Sequence, residues 1–146
     1  EGPPFCIIFP IPLPSEKSKT IEKINLAILT AMTKGDGDID NATLREELEK
    51  EGYSVEVIDM FTIKPLDEKL LIKEAKGKSK IVTIENHSIY GGLGSAVSEV
   101  IAENGISVPV KRIGVKEKFG QVGTAEFLQE EFGLTAKQIK ETICQF

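Results

Sequence analysis

One stretch concentrates residues able to do chemistry. Glu85-Asn86-His87-Ser88-Ile89-Tyr90-Gly91-Gly92-Leu93-Gly94-Ser95 holds the chain's only histidine, an acid two positions before it and three glycines. Alternation along a strand would set Glu85 and His87 on one side, where a carboxylate orients an imidazole for acid–base work. Glycines ahead of a helix offer free N–H groups and the positive end of the helix dipole to an anion. The same glycines also permit a tight turn and a close helix approach with no ligand at all. A dinucleotide fingerprint does not fit: with Gly92 and Gly94 as the first pair, Val97 stands where the third small residue belongs. The next strand, moreover, carries Lys111 and Arg112 instead of a ribose-binding acid. Lacking a nucleophile or metal partner, His87 is a weak catalytic candidate, and hydrogen bonding across an interface is the preferred reading.

A second run, Asp36-Gly37-Asp38-Ile39-Asp40-Asn41 with Glu47 eleven positions after Asp36, reproduces the acidic skeleton of an EF-hand loop. Asn41 stands in place of the loop's glycine, Thr43 replaces the usual apolar residue, and the preceding NLAILTA reads as a strand. Acids before a helix are equally explained by capping and the dipole. Asp36, Asp38, Asp40 and Glu47 therefore stay weak metal candidates, and no metal is expected in this chain. Cys6 and Cys144 lie near opposite ends without CxxC or histidine-paired spacing, which predicts no disulfide framework or zinc site and fits a reducing cytoplasm.

These residues must be positioned by a frame, and 146 residues suffice for one ordinary domain. A formal net charge of -5 removes the electrostatic argument for a nucleic-acid partner, and no apolar run is long enough to span a bilayer. Residues 1–23 crowd Gly2, Pro3, Pro4, Pro10, Pro12 and Pro14 around the apolar run Phe5 to Phe9, which predicts a linker and edge strand from a preceding domain. The start at Glu1 reads as a cut within a longer polypeptide or a processed end. From residue 24 to 146, strand-length apolar runs alternate with segments of helical period, the signature of a parallel α/β sheet. Strands are predicted over 25–31, 54–60, 80–85 and 107–113. Helices are predicted over 41–50, after Asp67, over 95–103, over 124–132, and from Thr135, where Gln138 completes a capping box.

The ordered motifs Thr62-Ile63-Lys64-Pro65-Leu66-Asp67, Glu85-Asn86-His87, Gly91-Gly92-Leu93-Gly94-Ser95-Ala96-Val97, Lys111-Arg112-Ile113-Gly114-Val115, Phe119-Gly120 and Phe132-Gly133-Leu134-Thr135 resemble the C-terminal domain of transketolases. The resemblance covers about residues 44–143, and extends in outline to deoxyxylulose-phosphate synthases and the β subunits of 2-oxoacid dehydrogenases. It implies a three-layer α/β/α sandwich with a mostly parallel five-stranded sheet. It also implies an enzyme that moves ketol groups between sugar phosphates, using thiamine diphosphate and a divalent metal held by the preceding domains at a dimer interface. This chain would then supply no cofactor ligand and no catalytic residue, and would be inactive alone. Its role would be assembly and shaping of the active-site entrance, with N-terminal transketolase domains or a separate subunit as partner, in a homodimer in the cytoplasm. On this reading Glu85, His87, Tyr90, Gly91, Gly92, Gly94 and Ser95 are substrate or interface candidates. Relatives often carry a phosphate-gripping arginine between the middle and last domains, whereas Phe5 to Leu13 contains no basic residue. The competing reading is a stand-alone α/β module binding an anion or nucleotide at the Gly91–Ser95 helix N-terminus.

Overall fold

A computed structural model of the chain describes residues 23–30 and 41–146. Within them lie β1 (Ile24–Thr30), α1 (Asn41–Lys50), β2 (Tyr53–Asp59), α2 (Glu68–Ala75), β3 (Lys80–Ser88), α3 (Leu93–Glu103), β4 (Val110–Val115), α4 (Ala125–Phe132) and α5 (Ala136–Gln145). The described strands form a four-stranded sheet in the order β2-β1-β3-β4, and every pairing is parallel. The linker and edge strand expected over 1–23 fall almost wholly outside the described residues, as do Cys6, Asp36, Asp38 and Asp40. The sheet has four strands among the described residues where the resemblance implies five.

Residues alternate between the two faces of a strand, and both faces of this sheet are covered. Leu26 and Ile28 of β1 join Val82 and Ile84 of β3 beneath Leu44 and Leu48 of α1 and Ile139 and Ile143 of α5. Ala27, Leu29 and Ile81 face the other way, against Leu71 and Ala75 of α2 and Leu93, Val97, Val100 and Ile101 of α3. The result is the expected α/β/α sandwich. The helix signals act as read: Asp67 accepts from the Leu70 N–H, Gly133 closes α4 in the left-handed region, and Thr135 and Gln138 form the capping box.

The largest differences in boundary from the expected ranges fall at β3, α3 and β4. β4 begins at Val110, since Pro109 has no N–H to give a ladder. β3 runs on to Ser88, and α3 starts two residues early, at Leu93. Leu93 is thereby fully buried in the core, whereas Ala96 is only half-buried.

Thr83 on β3 is fully buried, and its hydroxyl has no hydrogen-bond partner. An unpaired buried hydroxyl costs about 1–3 kcal/mol, so Thr83→Val, close in shape, should raise stability by about 1 kcal/mol in urea unfolding. An equal loss would mean that the hydroxyl is engaged.

Candidate functional site

Parallel strands place all their carboxyl ends together, and the Glu85–Ser95 stretch leaves the sheet there. The register between β3 and β4 slips: Ile84 opposes Ile113 and Ser88 opposes Val115, so four steps along β3 match two along β4. Such a bulge re-aims side chains. Here it turns Glu85 inward, 2% exposed, and leaves Asn86 and His87 in solvent.

Glu85 then reaches the start of α3. One carboxylate oxygen accepts from the Leu93 N–H and the other from the Gly94 N–H, both at 2.8 Å. The N-cap residue of α3 is Gly92, which has no side chain to cap with, so Glu85 satisfies those first donors from eight residues upstream. The helix dipole favours a negative charge at this end. Three glycines make room for the arrangement. A Cβ on Gly92 would stand 2.0 Å from a Glu85 carboxylate oxygen. On Gly114 it would lie 2.9 Å from Glu85 Cγ, and on Gly94 2.8 Å from Arg112 Cδ.

The loop above is tied down just as closely. Ser95 Oγ donates to the Ile89 carbonyl at 3.0 Å and accepts from the Gly91 N–H at 2.9 Å. Arg112 Nη1 donates to the same Ile89 carbonyl at 3.0 Å, and its guanidinium lies 5.6 Å from the Tyr90 ring centre. Gly91 takes a positive φ of 74° to make the turn. Ile89 is buried, whereas Tyr90 is 53% exposed.

The expected Glu85–His87 pair does not form. Both Glu85 oxygens serve α3, while His87 Nδ1 lies 3.3 Å from the Ser88 carbonyl. An exposed imidazole with no orienting acid is poorly placed for proton transfer. The anion-module reading also loses its site, because the helix terminus already holds an anion that belongs to the chain. The adjoining cleft, about 370 Å³, sets Glu68, Glu99 and Glu103 against Lys64, the wrong balance for a phosphate. Sequence reasoning found Glu85 but missed its role and that of Arg112. The signal was present: an acid at a strand end, just before glycines that open a helix.

Of the calcium-loop candidates, Glu47 alone is described. Its carboxylate bonds Lys50 and Lys140, which hold it below the usual carboxylate range, and its partners are thus cations of the chain itself. Among the described residues no three His, Cys, Asp or Glu side chains gather as a metal site would need. With the α3 terminus closed as well, those residues do not fit a diphosphate or its metal. Nor is any described helix long and apolar enough to cross a membrane.

These residues define a parallel α/β/α domain in which the glycine-rich start of α3 is occupied by the chain's own Glu85 carboxylate. The chain belongs to the transketolase C-terminal domain family, whose model matches residues 42–139. A 6-deoxy-6-sulfo-D-fructose transketolase subunit of Clostridium sp. (strain MSTE9) is 47% identical over 94 residues, covering 64% of this chain and 29% of that protein. The 1-deoxy-D-xylulose-5-phosphate synthase of Heliobacterium modesticaldum is 40% identical over 92 residues, covering 63% of this chain and 14% of the synthase. Among solved structures, a split-gene transketolase described as an inactive β4 tetramer matches with a TM-score of 0.69 at 35% identity, over 85% of this chain and 39% of that one. This chain spans well under half the length of these relatives, which are parts of transketolase-type transferases.

Proposed function

We propose that this chain is the C-terminal domain or subunit of a thiamine-diphosphate-dependent transketolase, acting in the cytoplasm on ketol transfer between sugar phosphates. It contributes assembly and the shape of the active-site entrance, while the preceding domains or a partner subunit hold the cofactor and its divalent metal. The observation that carries this reading is Glu85: a family domain whose helix N-terminus is closed by its own carboxylate is left with a scaffolding task. The solved split-gene relative, inactive as a β4 tetramer, supports the same division of labour. Self-association of the isolated chain about a two-fold axis, the commonest closed symmetry, follows from the same reading.

Calorimetry with thiamine diphosphate and magnesium tests the proposal. The isolated chain should give no saturable heat, and saturable binding by it alone would overturn the assignment. His87→Ala in the assembled enzyme should lower turnover less than about tenfold, against about 10²- to 10⁴-fold for loss of an essential acid–base group. A loss of about three decades with assembly intact would make His87 a catalytic residue.

A further inference from the structure

The chain has four asparagines, and one of them, Asn104, is followed by glycine. That order carries a chemistry of its own. The side-chain amide carbon of an asparagine is a weak electrophile, and the backbone nitrogen of the next residue is the nucleophile placed to close a succinimide ring on it. Glycine brings no Cβ to hinder that approach. Leu26, Ala42 and His87, which follow Asn25, Asn41 and Asn86, each present one. Asn104 and Gly105 are both exposed, so water and hydroxide reach them.

The fold nevertheless keeps the reacting atoms apart. Asn104 ends α3, and Gly105 follows at a φ of +61°, the left-handed conformation of a Schellman turn. The Ile106 N–H donates to the Ile101 carbonyl at 3.0 Å and the Gly105 N–H to the Ala102 carbonyl at 3.1 Å, the two hydrogen bonds that define such a turn. Ile106 packs against the apolar cluster that holds Ile101, which anchors the turn. The Asn104 side-chain amide in turn donates to the Val100 carbonyl at 2.9 Å. At its ψ of 5° the Gly105 nitrogen eclipses the Asn104 nitrogen, whereas ring closure needs it to eclipse Cβ. Nucleophile, electrophile and backbone angle are all held in an unreactive arrangement by the last turn of one helix.

We propose that Asn104–Gly105 is a latent site of spontaneous deamidation, held off by the C-terminal turn of α3 and released when that turn opens, so that the modification marks chains that have unfolded. Hydroxide takes the Gly105 amide proton, the nitrogen attacks Asn104 Cγ, and the N–Cγ bond forms as the Cγ–Nδ2 bond breaks. Ammonia leaves with a proton from water, which restores the hydroxide. Water then adds to either carbonyl carbon of the ring and opens it to aspartate or isoaspartate. Both products oppose the return to the fold. Aspartate sets a carboxylate at the negative end of the α3 dipole, next to Glu103, and loses the donor to the Val100 carbonyl. Isoaspartate lengthens the backbone and breaks the register of the two turn hydrogen bonds.

The test incubates the full chain in one mildly alkaline buffer, with and without urea to unfold it, and follows each asparagine by peptide mapping and mass spectrometry. Asn104 should deamidate at least about tenfold faster in the unfolded chain than in the folded one, and ahead of Asn25, Asn41 and Asn86. Ala102→Gly, at an exposed position in the last turn of α3, should speed the reaction of the folded chain about fivefold. Asn104→Asp should lower the melting temperature by about 2–5 °C. Equal rates with and without urea, or another asparagine reacting first in the unfolded chain, would overturn the proposal, and neither result depends on a variant that folds. An unchanged rate in Ala102→Gly would take the gate away from α3, and an unchanged melting temperature in Asn104→Asp would remove the penalty on refolding; either result counts against the proposal.

Discussion

Glu85→Ala loses about 3 kcal/mol of folding stability, more than other single truncations on this end of the sheet. Each of the two N–H groups that Glu85 receives is worth about 1.5–3 kcal/mol to a charged acceptor, and the helix terminus adds up to about 2 kcal/mol in a partly buried setting. Relief of the cost of burying the carboxylate offsets part of that sum. The variant is left with Leu93 and Gly94 donors facing a void. For a chain of this size the melting point should fall by about 6–12 °C. The vacated terminus then becomes the anion site that the parent lacks, so acetate should raise the melting point of Glu85→Ala and leave the parent unmoved. A loss below about 1 kcal/mol in urea unfolding would show that the carboxylate does not hold the helix start.

Gly92→Ala is expected to cost about as much, for a reason that its backbone alone would not reveal. Its φ of -97° suits any residue, yet the added Cβ would sit 2.0 Å from the Glu85 carboxylate and 2.7 Å from the Ser88 carbonyl. Neither atom can yield easily, because one is pinned by two N–H groups and the other is backbone. We expect a loss of about 3 kcal/mol, as for overpacking that breaks a buried hydrogen-bonded group. In Glu85→Ala the clash with the carboxylate is gone while that with the Ser88 carbonyl remains, so Glu85→Ala with Gly92→Ala should cost clearly less than the sum of the two single losses, the signature of coupled residues. Gly105→Ala gives the contrast: φ is +61° with open space around, so only the left-handed penalty of about 1–2 kcal/mol applies. Additive losses at Glu85 and Gly92 would contradict the shared lock.

What the sequence disclosed was chiefly periodic or local. The apolar runs marked all four described strands, and Asp67, Gly133 and the Thr135–Gln138 pair marked helix ends, because each acts within four residues of itself. Pro109 shifted the start of β4 by removing a donor, a correction that propensity alone could have supplied. The site was only half legible. Glu85, Tyr90 and the glycines stood out by type, but the partner of Glu85 depended on a bulge that appears only when β3 is laid against β4. Strand alternation therefore paired Glu85 with His87, and tertiary register paired it with α3 instead. Arg112 was read as a basic residue that spoiled a nucleotide site, since its reach across 23 residues to the Ile89 carbonyl leaves no trace in spacing.

The most direct test of the account is reconstitution of ketol transfer. Turnover from a ketose phosphate donor to an aldose phosphate acceptor would be measured for this chain alone, for the cognate N-terminal portion alone with thiamine diphosphate and magnesium, and for the two mixed. The account predicts no turnover by this chain, little by the N-terminal portion, and saturable activation as this chain is added. Turnover by this chain alone, or no activation and no association at micromolar concentrations of both parts, would contradict it.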